Sequence, residues 1–143
     1  DASEEQLKTA EASVERAGLS NQIKLAHGYA QNFDPTSMFG VAAGSVDKIV
    51  YSYTLSMIPP WQEAVDHSLS LLKPGGSLHI VGFGRQEGVP TWLRAFFFWW
   101  LDLFQVHYRP ELPAYIGSLA GRCASATIGA GLKGYYIIGK VVH

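Results

Sequence analysis

The sequence predicts an α/β fold, with a mostly parallel sheet, helices on both faces and an antiparallel strand near the C-terminus. Three observations predict it. Apolar periodicity alternates between helical and extended spacing along the chain, the pattern of strands joined through helices. The stretch LLKPGGSLHIVGFG, Leu71 to Gly84, reads as a helix end, a tight turn and a buried strand. The chain closes on two β-rich runs whose loop holds Gly131 and Gly134, the pattern of a hairpin. That hairpin argues for one antiparallel strand at a sheet edge.

Each element has a local reason. Ser3 suits an N-cap, with Gln6 three residues on as its capping-box partner. Leu7, Ala10, Val14 and Ala17 follow at helical spacing, and Gly18 closes the helix. Ile23 to Ala26 reads as a short strand, followed by a Gly28-Tyr29-Ala30 loop. Pro35 to Phe39 suits one helical turn. Val46 to Tyr53 is apolar on both faces after Lys48, as a central parallel strand is. Pro59-Pro60 opens a helix to about Leu72, with Lys73 in its last turn, where a cation suits the helix dipole. Pro74 stops it, Gly75-Gly76 reverse the chain, and Ser77 to Phe83 form the next strand. Trp92 to Val106 reads as an aromatic helix and Leu112 to Arg122 as another. Ala124 to Ala130 and Tyr135 to Val142 make the final strand pair.

The 143 residues suffice for one domain with its own core, and 48% apolar against 16% charged residues marks a globular chain. A net charge of −1 leaves no basic footprint for duplex nucleic acid. The single cysteine, Cys123, forms no internal disulfide, which fits a cytoplasmic protein. The acidic Asp1 to Glu5 opening has the wrong sign for a signal peptide, and no apolar run is long enough to span a bilayer. The five histidines show no metal-ligand spacing.

The order of elements and three local phrases resemble the class I S-adenosylmethionine-dependent methyltransferases, from the end of their second strand onward. Asp1-Ala2-Ser3 followed by Leu7 is similar to the family's second-strand end. Gly28-Tyr29-Ala30 is similar to its third-strand end, usually Gly-Asp-Ala. LLKPGGSLHIVGF is similar to the approach to its fifth strand. The resemblance implies a Rossmann-like methyltransferase sheet lacking its first two strands here, so that residues 1–143 are the C-terminal part of a single methyltransferase domain. It implies S-adenosylmethionine as cofactor. Nothing in the sequence matches the family's glycine-rich first loop, so the chain is expected to be a fragment.

The resemblance also places residues. Asp1 would accept hydrogen bonds from the two ribose hydroxyls, since a carboxylate offers two oxygens to a diol; Ala2 adjoins it. Tyr29 stands where the family often has an acid that meets the adenine amine, and its phenol suits bonding or stacking, with the Ala30 N–H beside it. Ser52 and Tyr53 lie at the fourth-strand end, beneath the methyl group. Ile58-Pro59-Pro60-Trp61 differs from the Asn-Pro-Pro-Tyr motif of nucleic-acid amino-methyltransferases in its first residue, which must hold the target amine; that reading is rejected.

SYTLSMIPPW, HIVGFG and WWLDLFQVHYRPEL further resemble the diacylglyceryl-homoserine N-methyltransferases of betaine-lipid synthesis. This implies a lipid-linked amine as acceptor and peripheral contact with the inner face of the membrane. Successive methylation ends in a quaternary ammonium, for which Tyr53, Trp61 and Trp92 are aromatic candidates. Arg109 would pair with a substrate carboxylate and His107 would relay a proton, with Tyr108 between them. No general base stands out. On the aromatic helix, Arg94, Phe98, Asp102 and Gln105 share one face, and the remainder is more apolar than a surface helix requires. It is a lipid-facing cover or a core or homodimer helix. Two other readings stay open: another small or lipid-like acceptor such as a quinone precursor, and a noncatalytic cofactor- or partner-binding domain.

Overall fold

A computed structural model describes residues 1–84, 89–103, 109–131 and 134–143. The first helix, α1 (Glu4–Arg16), begins at Ser3, whose side chain accepts from the Gln6 N–H at 3.3 Å. Glu4 and Glu5 complement its positive end. Only one stripe of α1, Leu7, Ala10 and Val14, is even half-buried. A single turn, α2 (Pro35–Phe39), is capped by Asp34, and Gly40 leaves it with φ 68°.

Among the described residues four strands form one sheet in the order β1-β2-β4-β3. They are β1 (Val46–Ser52), β2 (Leu72–Phe83), β3 (Ser125–Gly131) and β4 (Tyr136–Val142). The β1–β2 pair is parallel, while β4 runs antiparallel to both its neighbours. Three strands therefore share a direction and β4 opposes them. The opposed strand lies inside the sheet, not at the edge expected from the hairpin. Its residues explain why: Ile137, Gly139 and Val141 alternate as buried positions, whereas β3 buries none. Gly139 lets this inner strand pass beneath a helix, since a Cβ there would lie 2.5 Å from Ile116 Cδ1.

The core lies between this sheet and helices α3 (Trp61–Leu71) and α5 (Leu112–Ser118). Trp61, Ala64, Val65 and Leu69 come from α3, Leu78 and Ile80 from β2, Leu112 and Ile116 from α5, and Val141 from β4. A short 3-10 turn, Leu119–Gly121, continues α5 and buries Leu119. The aromatic helix is α4 (Thr91–Asp102). The buried Tyr51 hydroxyl donates to the Ala64 carbonyl at 3.2 Å and lies 2.8 Å from Ser68 Oγ, so β1 is fixed to α3 by polar contacts as well as apolar ones. Burial pushes its phenol pKa up.

The structure corrects three other expectations. Residues Ile23 to Ala26 form no strand. Ile23 donates back into the preceding turn, to Leu19 O at 2.9 Å, and at the other end Asp1 donates its amino N–H to Ala26 O at 3.0 Å and accepts from Gly28 N–H at 3.0 Å. That is one rung of a parallel ladder, too little to define a strand. Secondly, β1 stands at one end of the described sheet instead of at its centre: Val50 is 63% exposed and Tyr51 is its only buried residue. Thirdly, Lys73 lies beyond the end of α3 and pairs with Asp47 on β1. This exposed pair holds the Asp47 carboxyl below the usual carboxylate range, and contributes little to stability.

The Pro74-Gly75-Gly76 turn lies within the span of β2. Register shifts there, with Val46 opposite Leu72 but Lys48 opposite Ser77. Gly75 adopts φ 76° and donates to His143 O, while His143 donates back to Gly76 O. Gly76 is held between carbonyls, so that a Cβ would sit 2.9 Å from both Lys73 O and Val46 O. The double glycine thus serves a close approach of three backbone segments.

Tyr115 on α5 packs edge-on against Trp61, with ring centroids 5.1 Å apart. Partial burial, followed by the neighbouring Asp66 carboxylate, pushes its phenol pKa up to about 12. A folded-state value above the unfolded one favours the folded state fully below the unfolded pKa of about 10. That advantage is lost as pH rises through about 12. Thermal melts from pH 9 to pH 12 should therefore fall more steeply for the wild type than for Tyr115→Phe; parallel curves would contradict the assignment.

Candidate functional site

Two clusters form at the ends of extended segments, where ligands bind in open α/β sheets. The first joins residues distant in sequence. Besides the Asp1 rung, His27 Nε2 donates to Ala2 O at 3.1 Å, so Asp1 and Ala2 lie alongside Ala26 to Gly28. Asp1 Oδ1 accepts from the Ser3 N–H at 2.9 Å, which orients the carboxylate. Tyr29 follows directly, 53% exposed, its ring edge-on to His27. Ala30 turns inward against the core. The loop is tied to α3 by His67, whose Nε2 donates to Phe33 O at 2.6 Å. A further constraint is Gly28, where a Cβ would come 3.2 Å from Met38 Cε. The donor set suits an adenosine: an oriented exposed carboxylate for a diol, and an exposed aromatic ring for a base.

The second cluster surrounds the end of β1. Tyr53 is the only non-glycine residue with positive φ among those described, at 57°. The left-handed region costs an L-residue about 1–2 kcal/mol. Tyr53 is held there by its N–H to Val81 O at 2.7 Å and by Ser56 Oγ, which donates to the Tyr53 carbonyl at 2.8 Å. The turn sets the Tyr53 ring 4.9 Å from that of Phe83. Strain of this kind, enforced by two hydrogen bonds at a strand's carboxyl end, is characteristic of sites. Tyr53, Leu55, Ser56, Ile80, Val81, Gly82, Phe83, Arg109 and Leu112 line a recess there. Arg109 enters it from the start of the α5 region, with its guanidinium donating to Ile58 O at 3.2 Å.

The structure thus brings Tyr53 together with Arg109, and Asp1 and Ala2 together with the Tyr29 loop. Ser52 is exposed and does not line the recess. Trp61, expected against the acceptor, is 3% exposed in the core against Tyr115. Its place at the first position of α3, edge-on to the Tyr115 ring of α5, accounts for this. Trp92 stands 73% exposed on α4, away from the recess lining. His107, Tyr108 and Gln105 lie outside the described residues. Sequence reasoning missed Ser56, Phe83 and Leu112. The hydroxyl three residues after a strand-end Tyr was the one available signal for Ser56.

Trp92, Phe96 and Trp99 on α4 and Leu103 just beyond its end recur at three- and four-residue spacing and are each more than half exposed. Trp100 and Leu93 widen the stripe at 47% and 40%. Phe97 faces the other way, 6.3 Å from the Tyr135 ring. No helix among the described residues is long and apolar enough to cross a membrane.

Comparison with known proteins agrees with this architecture. An O-methyltransferase family protein from Burkholderia thailandensis superposes with a TM-score of 0.67 at 19% identity, over 95% of this chain and 40% of that one. An S-adenosylmethionine-dependent methyltransferase from Aquifex aeolicus gives 0.64 at 16% identity, over 99% of this chain and 65% of that one. This chain therefore spans roughly two fifths to two thirds of the length of those two proteins. At these identities the likeness concerns the fold. No curated protein sequence matches the chain. The family model of the methyltransferase domain matches residues 1–80, which contain the whole first cluster and the strained turn at Tyr53. The chain belongs to the methyltransferase-domain family.

Proposed function

We propose that this chain serves S-adenosylmethionine-dependent methyl transfer to an amine. The observation that carries the proposal is the oriented Asp1 carboxylate beside the exposed Tyr29 ring, within the segment that matches the methyltransferase domain. In this reading Asp1 accepts from the ribose hydroxyls and Tyr29 covers the adenine. S-adenosylmethionine supplies an electrophilic sulfonium methyl when bound. The chain's part is to hold the acceptor in line and exclude water, which can account for much of the acceleration in such displacements. The Tyr53–Phe83 ring pair, flanked by Leu55, Ile80 and Leu112, provides a dry surface beside the strand end. It also tolerates a growing ammonium charge.

The proposed acceptor is a lipid-linked amine of the diacylglyceryl-homoserine kind, reached from a membrane surface through α4. The exposed stripe Trp92, Phe96, Trp99 and Leu103 supports this, because tryptophan-rich apolar faces partition to the membrane–water interface. The similarity of SYTLSMIPPW and WWLDLFQVHYRPEL to betaine-lipid methyltransferases supports it too. The double variant Trp99→Ser with Trp100→Ser should bind anionic vesicles at least about tenfold more weakly, since each buried apolar side chain contributes about 1.5–3 kcal/mol. Its melting should change little, because both side chains are already about half exposed. A loss of about 3–5 kcal/mol per ring would instead mark α4 as a core or subunit-contact helix. Purified full-length protein given S-adenosylmethionine and vesicles containing diacylglyceryl-homoserine should yield mono-, di- and trimethylated lipid. Methylation of a water-soluble quinone precursor alone would replace the acceptor and keep the reaction. Failure of the full-length protein to bind S-adenosylmethionine at all would favour a noncatalytic domain.

A further inference from the structure

Arg109 Nε is buried and has no hydrogen-bond partner, the only such side-chain atom among the described residues. One other guanidinium nitrogen is satisfied, by the Ile58 carbonyl. Neither ion pair found among the described residues includes Arg109: Lys73 pairs with Asp47 and Arg122 with Asp66. A guanidinium stays charged at all physiological pH values. Here it enters a recess with Leu55, Ile80, Phe83 and Leu112 in its walls, where low polarity strengthens its attraction for an anion. An uncompensated buried N–H carries a desolvation cost that a ligand oxygen would remove. The free space is about 20 Å³. That accommodates the end of a ligand and not its body.

We propose that this recess is a subsite for the carboxylate of the acceptor, with Arg109 Nε–H donating to a carboxylate oxygen and the Tyr53–Phe83 rings flanking the adjoining carbon. Arg109 then orients the acceptor by its acid end, leaving its amine directed out of the recess. Calling the ligand an acceptor rests on the methyl-transfer reading; the anion subsite does not. The substrate class becomes amino acids, free or lipid-linked, in preference to simple amines and phenols.

The test uses the whole chain with arginine Nε labelled by 15N. The Arg109 Nε–H resonance is assigned by its loss in Arg109→Lys. Sodium acetate should move it in a saturable way, while sodium chloride at equal ionic strength should not. Phenylacetate should bind at least tenfold more tightly than phenylacetamide, which has nearly the same shape without the charge. Arg109→Gln should remove that preference, and Arg109→Lys should retain part of it. Melting curves of both variants establish that they are folded. A resonance unmoved by acetate means a water satisfies Nε and overturns the subsite, as does a preference that survives in Arg109→Gln. S-adenosylmethionine binding, measured on the same samples by calorimetry, reports separately on the methyl-transfer reading.

Discussion

Ile80→Ala should destabilise the protein by about 4 kcal/mol, within the range for deleting a fully buried aliphatic side chain. Ile80 has no exposed surface and lies in the middle of β2, opposite Tyr51 on one side and Gly139 on the other. The backbone around it is held by ladders to both neighbouring strands, so the cavity has little freedom to collapse. Its side chain also forms part of the recess wall, which enlarges toward Arg109 when it is removed. For a domain of this size the melting temperature should drop by roughly 10–15 °C. Ile138, on the adjacent strand, is 45% exposed and makes the control. Ile138→Ala should cost about 1 kcal/mol or less. Equal losses at the two positions would mean that the sheet's two faces are not divided as described.

Asp1→Ala should weaken S-adenosylmethionine binding about ten- to a hundredfold. The carboxylate is the one charged acceptor in the first cluster, and a hydrogen bond to a charged group contributes about 1.5–3 kcal/mol. The Ser3 N–H holds one oxygen and thereby orients the other. Asp1→Asn keeps that turn and the steric shape, and should lose most of the affinity nonetheless, because an amide presents one acceptor to a diol where a carboxylate presents two. Calorimetry on the full-length protein decides both. Unchanged affinity in Asp1→Ala would remove Asp1 from the cofactor site while leaving the family membership intact.

The elements that sequence reasoning located are those with local causes. Ser3 starts α1 because its side chain reaches the Gln6 N–H, a contact encoded within four residues. The closing hairpin is written in two β-rich runs and their glycines. Tyr53 and Arg109 stood out through the similarity of their surroundings, but that residues so far apart in sequence line one recess is a property of the fold alone. What was not legible depends on neighbours. Ile23 to Ala26 has the composition of a strand, but its bonds go to the Leu19 turn and to a single rung at Asp1, and composition does not supply a ladder. Trp61 looks like a ligand aromatic in one dimension and proves to be core because α3 turns it toward Tyr115. Likewise β4 and not β3 occupies the inner position, a choice made by burying Ile137 and Val141 beneath α5.

The exposed edge of β1 has a consequence for how the chain behaves in concentrated solution. Among the described residues this strand has a ladder partner on one side only, β2, and its Val50 is 63% exposed. A net charge of −1 supplies almost no colloidal repulsion. The exposed Asp47 and Lys48 act as gatekeepers at one end only. At the other end of the sheet β3 is an edge as well, with Ile128 43% exposed, so β1 is the more apolar of two edges at Val50. A single added charge at Val50 should raise the concentration at which the chain precipitates more than the same charge placed anywhere on α1.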